Sequence, residues 1–271
     1  MDELARYNRE RWEELAEAGI AFSRPALDLD EASARAMVDA EGVMGDVAGK
    51  DVLCLAGGGG QQSVAFALLG AKVTVVDFCP TQLERDRQTA VHYGVEVMAV
   101  ECDIRDLSPF ADDSFDIVWH AHSLNFVPDT RPVFDEVSRV IRLAGLYRLE
   151  CTNPFIHGVL DAKWDGHGYP LHSPYVDGAE VVTEDPYWDF EDAEGARQRV
   201  KGPREFRHAL GTIVNGLVGR GFVLLGIWEH LHGDPQAEPG TWRHFEAIAP
   251  PWLTFWATYR PDFLPRREQS A

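Results

Sequence analysis

Four consecutive glycines separate an apolar segment from a helical one near residue 60. Residues 53–56 read L-C-L-A and lead directly into the glycines at 57–60. Glycines at a strand-to-helix turn let a ligand approach the backbone without a Cβ in the way, and the amides at the start of the helix favour anionic or dipolar groups. Tight packing also explains such turns, so a ligand site and a purely structural turn are both open at this point.

An acidic residue stands at the end of the next predicted strand, about 20 residues further along the chain. Asp77 occupies the place where a carboxylate can accept hydrogen bonds from the hydroxyls of a ribose. The glycines and Asp77 together predict a cofactor that contains a nucleoside. They do not separate NAD from S-adenosylmethionine, because both cofactors carry adenosine.

The residues that follow favour S-adenosylmethionine. The dinucleotide pattern G-x-G-x-x-G would place its third small residue at position 63, where Ser63 stands instead. A further acid, Asp103, follows the third predicted strand, and residues 114–118 read S-F-D-I-V. These features speak against a nicotinamide-dependent oxidoreductase, which is the alternative enzyme class.

The segments around these residues alternate between strand and helix patterns. Short apolar or β-branched runs predict strands at 51–56, 72–76, 96–100, 115–119, 146–151, 223–228 and 253–258. Apolar residues at helical spacing predict helices at 2–18, 30–44, 61–69, 80–93, 130–142 and 204–219. This order is typical of a parallel sheet covered on both faces, with right-handed crossovers. The glycines and the acids would then meet at the carboxyl edge of the sheet, where such folds bind ligands.

The run from Asp51 to Asp116 resembles the class I methyltransferase family. Family members typically read V-L-D-L-G-x-G-x-G, L-A-x-x-G-A-x-V-x-x-V-D, D-[ILA] and F-D-x-V. This chain reads V-L-C-L-A-G-G-G-G at 52–60, F-A-L-L-G-A-K-V-T-V-V-D at 66–77, D-I at 103–104 and F-D-I-V at 115–118, and 134–145 resembles the family's E-x-x-R-V-L-K-P-G-G. The match covers about 100 residues in family order. It implies an α/β fold: a seven-stranded, mostly parallel Rossmann-like sheet with helices on both faces and an antiparallel C-terminal strand.

The resemblance also implies S-adenosylmethionine as cofactor and a role for each motif. Asp77 would hold the ribose hydroxyls, and Phe78 would lie beside the adenine. Asp103 would accept a hydrogen bond from the adenine amino group, and the Ile104 amide would donate to the ring. The methionine part would pass the glycine turn and His120. The cofactor-binding residues expected from the resemblance are Ala56, Gly57, Gly58, Gly60, Asp77, Phe78, Asp103, Ile104 and His120.

Two residues depart from the family pattern. Cys54 stands where the family usually has an acid, and Ala56 replaces the first glycine. The family's acid helps to hold the ammonium of the methionine, so that anchor must come from elsewhere in this chain. The departure at Cys54 also leaves open a protein that binds the cofactor without transferring a methyl group.

We interpret residues 1–271 as a single methyltransferase domain with two additions. Residues 1–45 are predicted to form an N-terminal helical cap. Residues 153–203 are rich in Pro, Gly, His and aromatic residues without clear periodicity, which suits an inserted lid or substrate-binding segment. A static subdomain packed on the sheet edge is the alternative for this insertion.

Substrate residues are expected beyond the carboxyl ends of the strands. His122, two residues past the fourth predicted strand, is the best-placed candidate for a general base, and the alternative is a histidine that packs or caps a loop. The candidate substrate-binding residues are Tyr7, Trp12, Tyr169, His172, Tyr175 and Trp188. The acceptor atom (O, N, C or S) and the oligomeric state are not legible from the sequence, because fold does not determine function.

The composition narrows the partners. Asp and Glu number 44 against 25 Lys and Arg, and the formal net charge of −19 disfavours nucleic acid and anionic membrane surfaces. The charged N-terminus is unlike a secretory signal, and no stretch is long and apolar enough to span a membrane, so a cytoplasmic protein is expected. The four cysteines show no C-x-x-C spacing, and no metal is expected. The sequence therefore predicts a methyltransferase that acts on a small molecule.

Overall fold

The computed structural model of the chain describes residues 1–156, 164–171 and 173–264. The helices in this part of the chain are α1 Glu3–Glu17, α2 Glu31–Val38, α3 Gln62–Leu68, α4 Pro80–Tyr93, α5 Arg131–Val140, α6 Leu210–Val218 and α7 Trp242–Ile248. The strands are β1 Asp51–Leu55, β2 Lys72–Asp77, β3 Val97–Glu101, β4 Phe115–His120, β5 Ile141–Thr152, β6 Glu180–Val181, β7 Tyr187–Glu191, β8 Arg197–Lys201, β9 Glu205–Phe206, β10 Phe222–Glu229 and β11 Trp252–Tyr259. Short 3₁₀ helices lie at Ala21–Ser23, Leu124–Phe126 and Pro261–Phe263.

Seven of these strands form one twisted sheet in the order β10-β11-β5-β4-β1-β2-β3. The pairs β1/β2, β1/β4, β2/β3 and β4/β5 are parallel, whereas β11 runs antiparallel to both of its neighbours, β5 and β10. The seven-stranded, mostly parallel α/β sheet expected from the sequence is confirmed, including its antiparallel C-terminal strand. The chain order switches direction between β1 and β4, which opens a crevice at the carboxyl edge.

The central strands are buried on both faces. On β1, Leu53 and Leu55 belong to the apolar layer on one face of the sheet, whereas Val52 and Cys54 belong to the layer on the other face. All four side chains are fully buried. This alternation explains why β1 reads as a continuous apolar run rather than as an alternating pattern. Full burial of each such Val or Leu side chain contributes roughly 1.5–3 kcal/mol, so this strand fixes the position of the glycine turn that follows it.

Several predicted boundaries are wrong, for local physical reasons. Helix α2 ends at Val38 instead of 44, because the Asp39 carboxylate accepts from the amides of Val43 and Met44 and turns the chain. Strand β5 begins at Ile141, directly after α5, five residues earlier than expected. Residues 204–209 were expected to be helical, but β9 lies there, and α6 begins at Leu210.

The insertion 153–203 contains more regular structure than its composition indicates. Strands β7 and β8 form an antiparallel hairpin, and β6 pairs with β9 outside the insertion. In β7 the half-buried Trp188 and Phe190 alternate with exposed residues, but this alternation spans only five residues and was missed in the sequence analysis. Helix α7 was not predicted either. Among the residues that the structure describes, no helix has the length and apolar character that crossing a membrane requires.

Candidate functional site

A cavity of about 1150 Å³ lies at the carboxyl edge of the sheet. Its floor is formed by the residues that follow β1, β2, β3 and β4, and its rim by helix α1 and by the segment from β6 to β9, most of which belongs to the insertion. A cavity of this size suits a cofactor together with a small second ligand, since ligand pockets occupy roughly 300–1,000 Å³.

The turn after β1 forms a bare backbone surface in this cavity. Ala56 has φ of 53° and Gly58 has φ of 79°, both in the left-handed region that favours glycine. A Cβ built on Gly59 would overlap the side-chain oxygen of Gln82, and one on Gly58 would lie 3.2 Å from the carbonyl of Phe22. Close packing against the protein therefore requires glycine at 58 and 59, while Ala56, Gly57 and Gly58 line the cavity.

Asp77 ends β2 beside this turn. Its side chain is 7% exposed and lines the cavity, and one carboxylate oxygen accepts from the Cys79 amide at 2.8 Å. Burial raises the pKa of Asp77 to about 7, and the neighbouring charge of Asp86 acts in the same direction, while the Cys79 amide opposes them. A buried acceptor with spare lone pairs fits the paired hydroxyls of a ribose.

Asp103 and Ile104 follow β3 and also line the cavity. Arg105 binds Asp103 with Nε at 3.0 Å from one oxygen and Nη2 at 2.6 Å from the other, and it also pairs with Asp2 at 2.7 Å. Asp2 caps helix α1 by accepting from the Ala5 amide at 2.8 Å. Helix α1 is thus tied to the adenine end of the expected cofactor site.

Gly60 lies behind the turn, and the structure does not place it in the cavity wall. Its amide donates to Asp86 at 2.9 Å, and Ser63 donates to the same carboxylate oxygen. Burial raises the pKa of Asp86 to about 6, against the opposing hydrogen bonds from Ser63 and Gly60. The Gly60–Asp86 hydrogen bond therefore supports the turn from the side away from the cavity wall.

His120 also lies away from the cavity, contrary to the expectation that it lines the methionine pocket. It points from β4 into the buried layer, where Tyr147 Oη lies 2.8 Å from Nδ1 and Ser123 Oγ lies 2.7 Å from Nε2. Burial lowers the pKa of His120 to about 3, and the nearby His122 and Arg148 act in the same direction. His120 is a neutral structural residue that positions Ser123, a residue of the cavity wall.

His122 does line the cavity, in the part that it shares with Trp252, Arg148 and Glu150, which we call the second compartment. Its ring packs edge-on against Trp252, with centroids 4.6 Å apart, and its Nε2 lies 3.3 Å from Thr152 Oγ1. Asn125 in turn donates to Thr152 Oγ1. These contacts fix the orientation of the imidazole at the edge of the sheet, next to the ends of β4 and β5.

A buried ion pair completes this second compartment. Arg148 on β5 donates to Glu150 at 2.7 Å, and its guanidinium lies over the Trp119 ring, 4.2 Å from the centroid. Burial acts to raise the pKa of Glu150, but Arg148 and the histidines at 122 and 230 hold it below its ordinary value. The compartment therefore combines a polar centre with aromatic walls.

The expected substrate residues are divided between cavity and surroundings. Tyr7, Trp12 and Trp188 line the cavity, and Trp12 packs edge-on against Trp188, with centroids 6.0 Å apart. Tyr169 and Tyr175 lie elsewhere: Tyr169 Oη is 2.9 Å from His244 Nδ1, and Tyr175 accepts from the amide that begins α6. Those two tyrosines pack the insertion onto the C-terminal part of the chain. His172 lies outside the described residues.

Sequence reasoning missed several cavity residues, although two signals were available. Gln62 lies two residues past the last glycine of the turn and lines the cavity. Arg148 and Glu150 interrupt an otherwise apolar strand, and charges inside a buried strand mark a functional or paired site. Gln82 and Trp252 gave no comparable signal.

Comparison with known proteins places this site in a family. Residues 53–149 match the family described as "Methyltransferase domain". An uncharacterized methyltransferase of Bacillus subtilis, YbaJ, is 33% identical over 190 residues, which cover 69% of this chain and 71% of that protein. A ubiquinone biosynthesis O-methyltransferase of Xanthomonas oryzae pv. oryzae is 32% identical over 108 residues, which cover 40% of this chain and 45% of that protein.

The fold agrees with these sequence matches. The crystal structure of an S-adenosylmethionine-dependent methyltransferase from Mesorhizobium loti aligns with a TM-score of 0.62 and 22% identity, over 86% of this chain and 100% of that one. The carboxylate of Asp77 is buried and keeps acceptor capacity beyond its bond to the Cys79 amide, which suits the ribose of the adenosine part. The glycine turn suits the methionine part. The chain belongs to the class I S-adenosylmethionine-dependent methyltransferases, with S-adenosylmethionine as its cofactor.

Proposed function

We propose that this enzyme methylates a small molecule that binds in the second compartment of the cavity. One observation carries the proposal. The cavity that contains the expected cofactor site at the carboxyl edge of the sheet also contains the second compartment, whose walls are His122, Trp252 and the Arg148–Glu150 pair. That compartment lies beneath helix α1 and the insertion, so a small molecule fits it better than a macromolecular surface. The net charge of −19 further disfavours nucleic acid as acceptor. The Xanthomonas relative is named for a reaction of ubiquinone biosynthesis, whose acceptor is a small molecule.

We further propose which residues position the reactants. Asp77 holds the ribose hydroxyls, Asp103 and the Ile104 amide hold the adenine, and the backbone at 56–58 borders the methionine part. When bound, S-adenosylmethionine supplies an electrophilic methyl group on a sulfonium centre. The protein brings the acceptor atom in line with that methyl group, and such positioning supplies much of the acceleration.

His122 is the proposed base for an acceptor that must lose a proton. Its ring is oriented by Thr152 and Trp252, and it faces the compartment where the acceptor would bind. An oriented imidazole within reach of the acceptor proton contributes about 10²–10⁴-fold in rate. The imidazole of His122 would take the proton that the acceptor atom loses as that atom receives the methyl group that bound S-adenosylmethionine would supply.

We propose that the hairpin β7–β8 is the moving part of a lid. Trp188 of the hairpin packs on Trp12 of α1, and the backbone of Arg204, directly after the insertion, exchanges hydrogen bonds of 2.8 and 3.1 Å with the Asn8 side chain of α1. Exclusion of water favours a reaction of this kind. Limited proteolysis should cut the hairpin in the free protein and spare it with S-adenosylhomocysteine and acceptor bound. Equal protection in both states would support the static subdomain.

A label-transfer experiment tests the proposed function. The protein is incubated with S-adenosylmethionine carrying a radiolabelled methyl group and with a cell extract divided by ultrafiltration into small and large molecules. Label should enter the small-molecule fraction and should be lost with Asp77→Ala. Label confined to the large-molecule fraction would refute the small-molecule acceptor.

A second candidate function rests on Cys54. Because the family's acid is missing there, a protein that only binds the cofactor is the competing function. Binding of S-adenosylhomocysteine without label in either fraction would support that function against methyl transfer.

A further inference from the structure

The methionine end of the cofactor site lacks the carboxylate that the family pattern places in β1. Cys54 stands there, fully buried, and it does not belong to the cavity wall. Burial raises the pKa of its thiol, and the charge of Asp86 adds to this, so the thiol is neutral. An ammonium group that leaves water needs hydrogen-bond acceptors, and burying it without them is costly.

Two glutamines carry unused acceptors at this place. Gln62 is the first residue of α3 and Gln82 the third residue of α4, and both line the cavity. Within the described residues, the side-chain oxygen of each is buried and has no hydrogen-bond partner. Gln82 is 3% exposed. Buried polar atoms are satisfied in the great majority of cases, so two orphaned oxygens in one cavity wall indicate a missing donor.

Both oxygens lie against the glycine turn. A Cβ added to Gly59 would overlap Gln82 Oε1, and a Cβ added to Gly58 would lie 3.9 Å from Gln62 Oε1. The oxygens therefore adjoin consecutive residues of the turn that borders the methionine part of the cofactor.

The neighbouring polar side chains either are engaged or lie outside the cavity wall. Gln61 donates its side-chain amide to the carbonyls of Phe22 and Arg24 at 3.1 and 2.7 Å, which anchors the N-terminal segment. Asp86 receives the Gly60 amide and the Ser63 hydroxyl on one carboxylate oxygen, and its other oxygen is buried without a partner, but Asp86 does not line the cavity. Among the described residues, Gln62 and Gln82 therefore carry the unpartnered side-chain oxygens of the cavity wall beside the turn.

We propose that the side-chain oxygens of Gln62 and Gln82 accept hydrogen bonds from the ammonium of the cofactor's methionine part, in place of the carboxylate absent at Cys54. An ammonium has three N–H donors, so two are met by the glutamines and one is left for a backbone carbonyl of the turn. This inference rests on the proposed placement of the methionine part at residues 56–58.

Two ligands separate this role from a general role in the site. S-adenosylhomocysteine carries the amino-acid part, whereas 5′-methylthioadenosine has the same nucleoside and a sulfur but no ammonium. Calorimetry should show that Gln82→Leu and Gln62→Leu each weaken S-adenosylhomocysteine by about 10- to 100-fold, the range for a hydrogen bond to a charged group. Binding of 5′-methylthioadenosine should change less than about twofold, because the lost bond is not made to it.

Gln82→Glu is the matched variant. It preserves length and places a carboxylate where the amide oxygen lies, so it should match or exceed the wild-type affinity for S-adenosylhomocysteine. A weaker affinity would mean that the side chain donates to the ligand instead of accepting, and would overturn the proposal. Because Gln82→Glu keeps the volume of the side chain, it stays informative where Gln82→Leu fails to fold.

The remaining outcomes are equally decisive. Equal losses for both ligands would show that the glutamines only shape the turn, and unchanged affinities would show that the ammonium is held elsewhere. Asp77→Asn is the control, since it should weaken both ligands. If the wild-type protein binds neither ligand, the proposed cofactor placement fails, and this outcome is distinct from a failure of the glutamine assignment alone.

Discussion

Cofactor affinity should depend on pH through Asp77. In the free protein, burial and the charge of Asp86 raise the pKa of Asp77 to about 7. Ribose hydroxyls that donate to the carboxylate stabilise its ionised form, so the bound state has a lower pKa. Below about pH 7, binding must therefore release a proton, and affinity must fall as the pH falls.

The size of the effect follows from the fraction of Asp77 that is ionised. With a free-state pKa of about 7, roughly nine in ten molecules are ionised at about pH 8 and roughly one in a hundred at about pH 5. If the bound pKa lies below this range, the affinity should drop on the order of 100-fold, which corresponds to about 2.7 kcal/mol.

Calorimetric titration with S-adenosylhomocysteine across this range is the appropriate assay, because the ligand has no group that titrates within it. Asp77→Asn should bind more weakly near pH 8 and should lose most of the dependence. Asp86→Asn is the matched control, because Asp86 does not line the cavity but its charge raises the pKa of Asp77. Without that charge, the fall in affinity for S-adenosylhomocysteine should occur at lower pH. An Asp77→Asn profile parallel to the wild type would refute the ribose assignment.

Three further predictions concern stability and turnover. Ala56→Gly should stabilise the protein by about 1 kcal/mol in thermal melts, because Ala56 has φ of 53°, whereas Gly58→Ala should destabilise it. The pKa of Asp77 is about 7 in the folded protein, above its ordinary value of 3.8, so ionisation of Asp77 destabilises the fold as the pH rises from about 4 to 7. Asp77→Asn removes this cost and should therefore raise the melting temperature of the free protein near pH 8 by roughly 2 °C or more. Once an acceptor is known, His122→Asn should lower kcat by about 10²–10⁴-fold and leave the calorimetric affinity for S-adenosylhomocysteine unchanged; an unchanged kcat would remove His122 as the base.

The part of the site built from local sequence was predictable. Strands β1 and β2 are buried on both faces, so each reads as an apolar run, and the glycines and Asp77 follow at positions fixed by those runs. The cavity residues at the ends of β1, β2 and β3 were identified in this way. Gly60 and His120 were expected to face the ligand as well, but the structure places neither in the cavity wall. The Gly60 amide donates to the buried Asp86, and the His120 ring lies between Tyr147 and Ser123.

The second compartment was predicted only at His122, because the other members join it through contacts between residues far apart in sequence. Arg148 packs on Trp119 of the neighbouring strand and lies 3.4 Å from Thr254, 106 residues away in sequence. Tyr169 and Tyr175 show the opposite error. Aromatic residues in an irregular insertion indicate burial, but the surface that they bury depends on contacts with α6 and α7 that the sequence does not encode locally.

The central claim is that the glycine turn and Asp77 form an S-adenosylmethionine site. Its most direct test is a pair of calorimetric titrations of the purified protein, one with S-adenosylhomocysteine and one with NAD. We expect S-adenosylhomocysteine to bind with one molecule per chain and NAD to give no binding heat. Tight binding of NAD without binding of S-adenosylhomocysteine would contradict the assignment of the site.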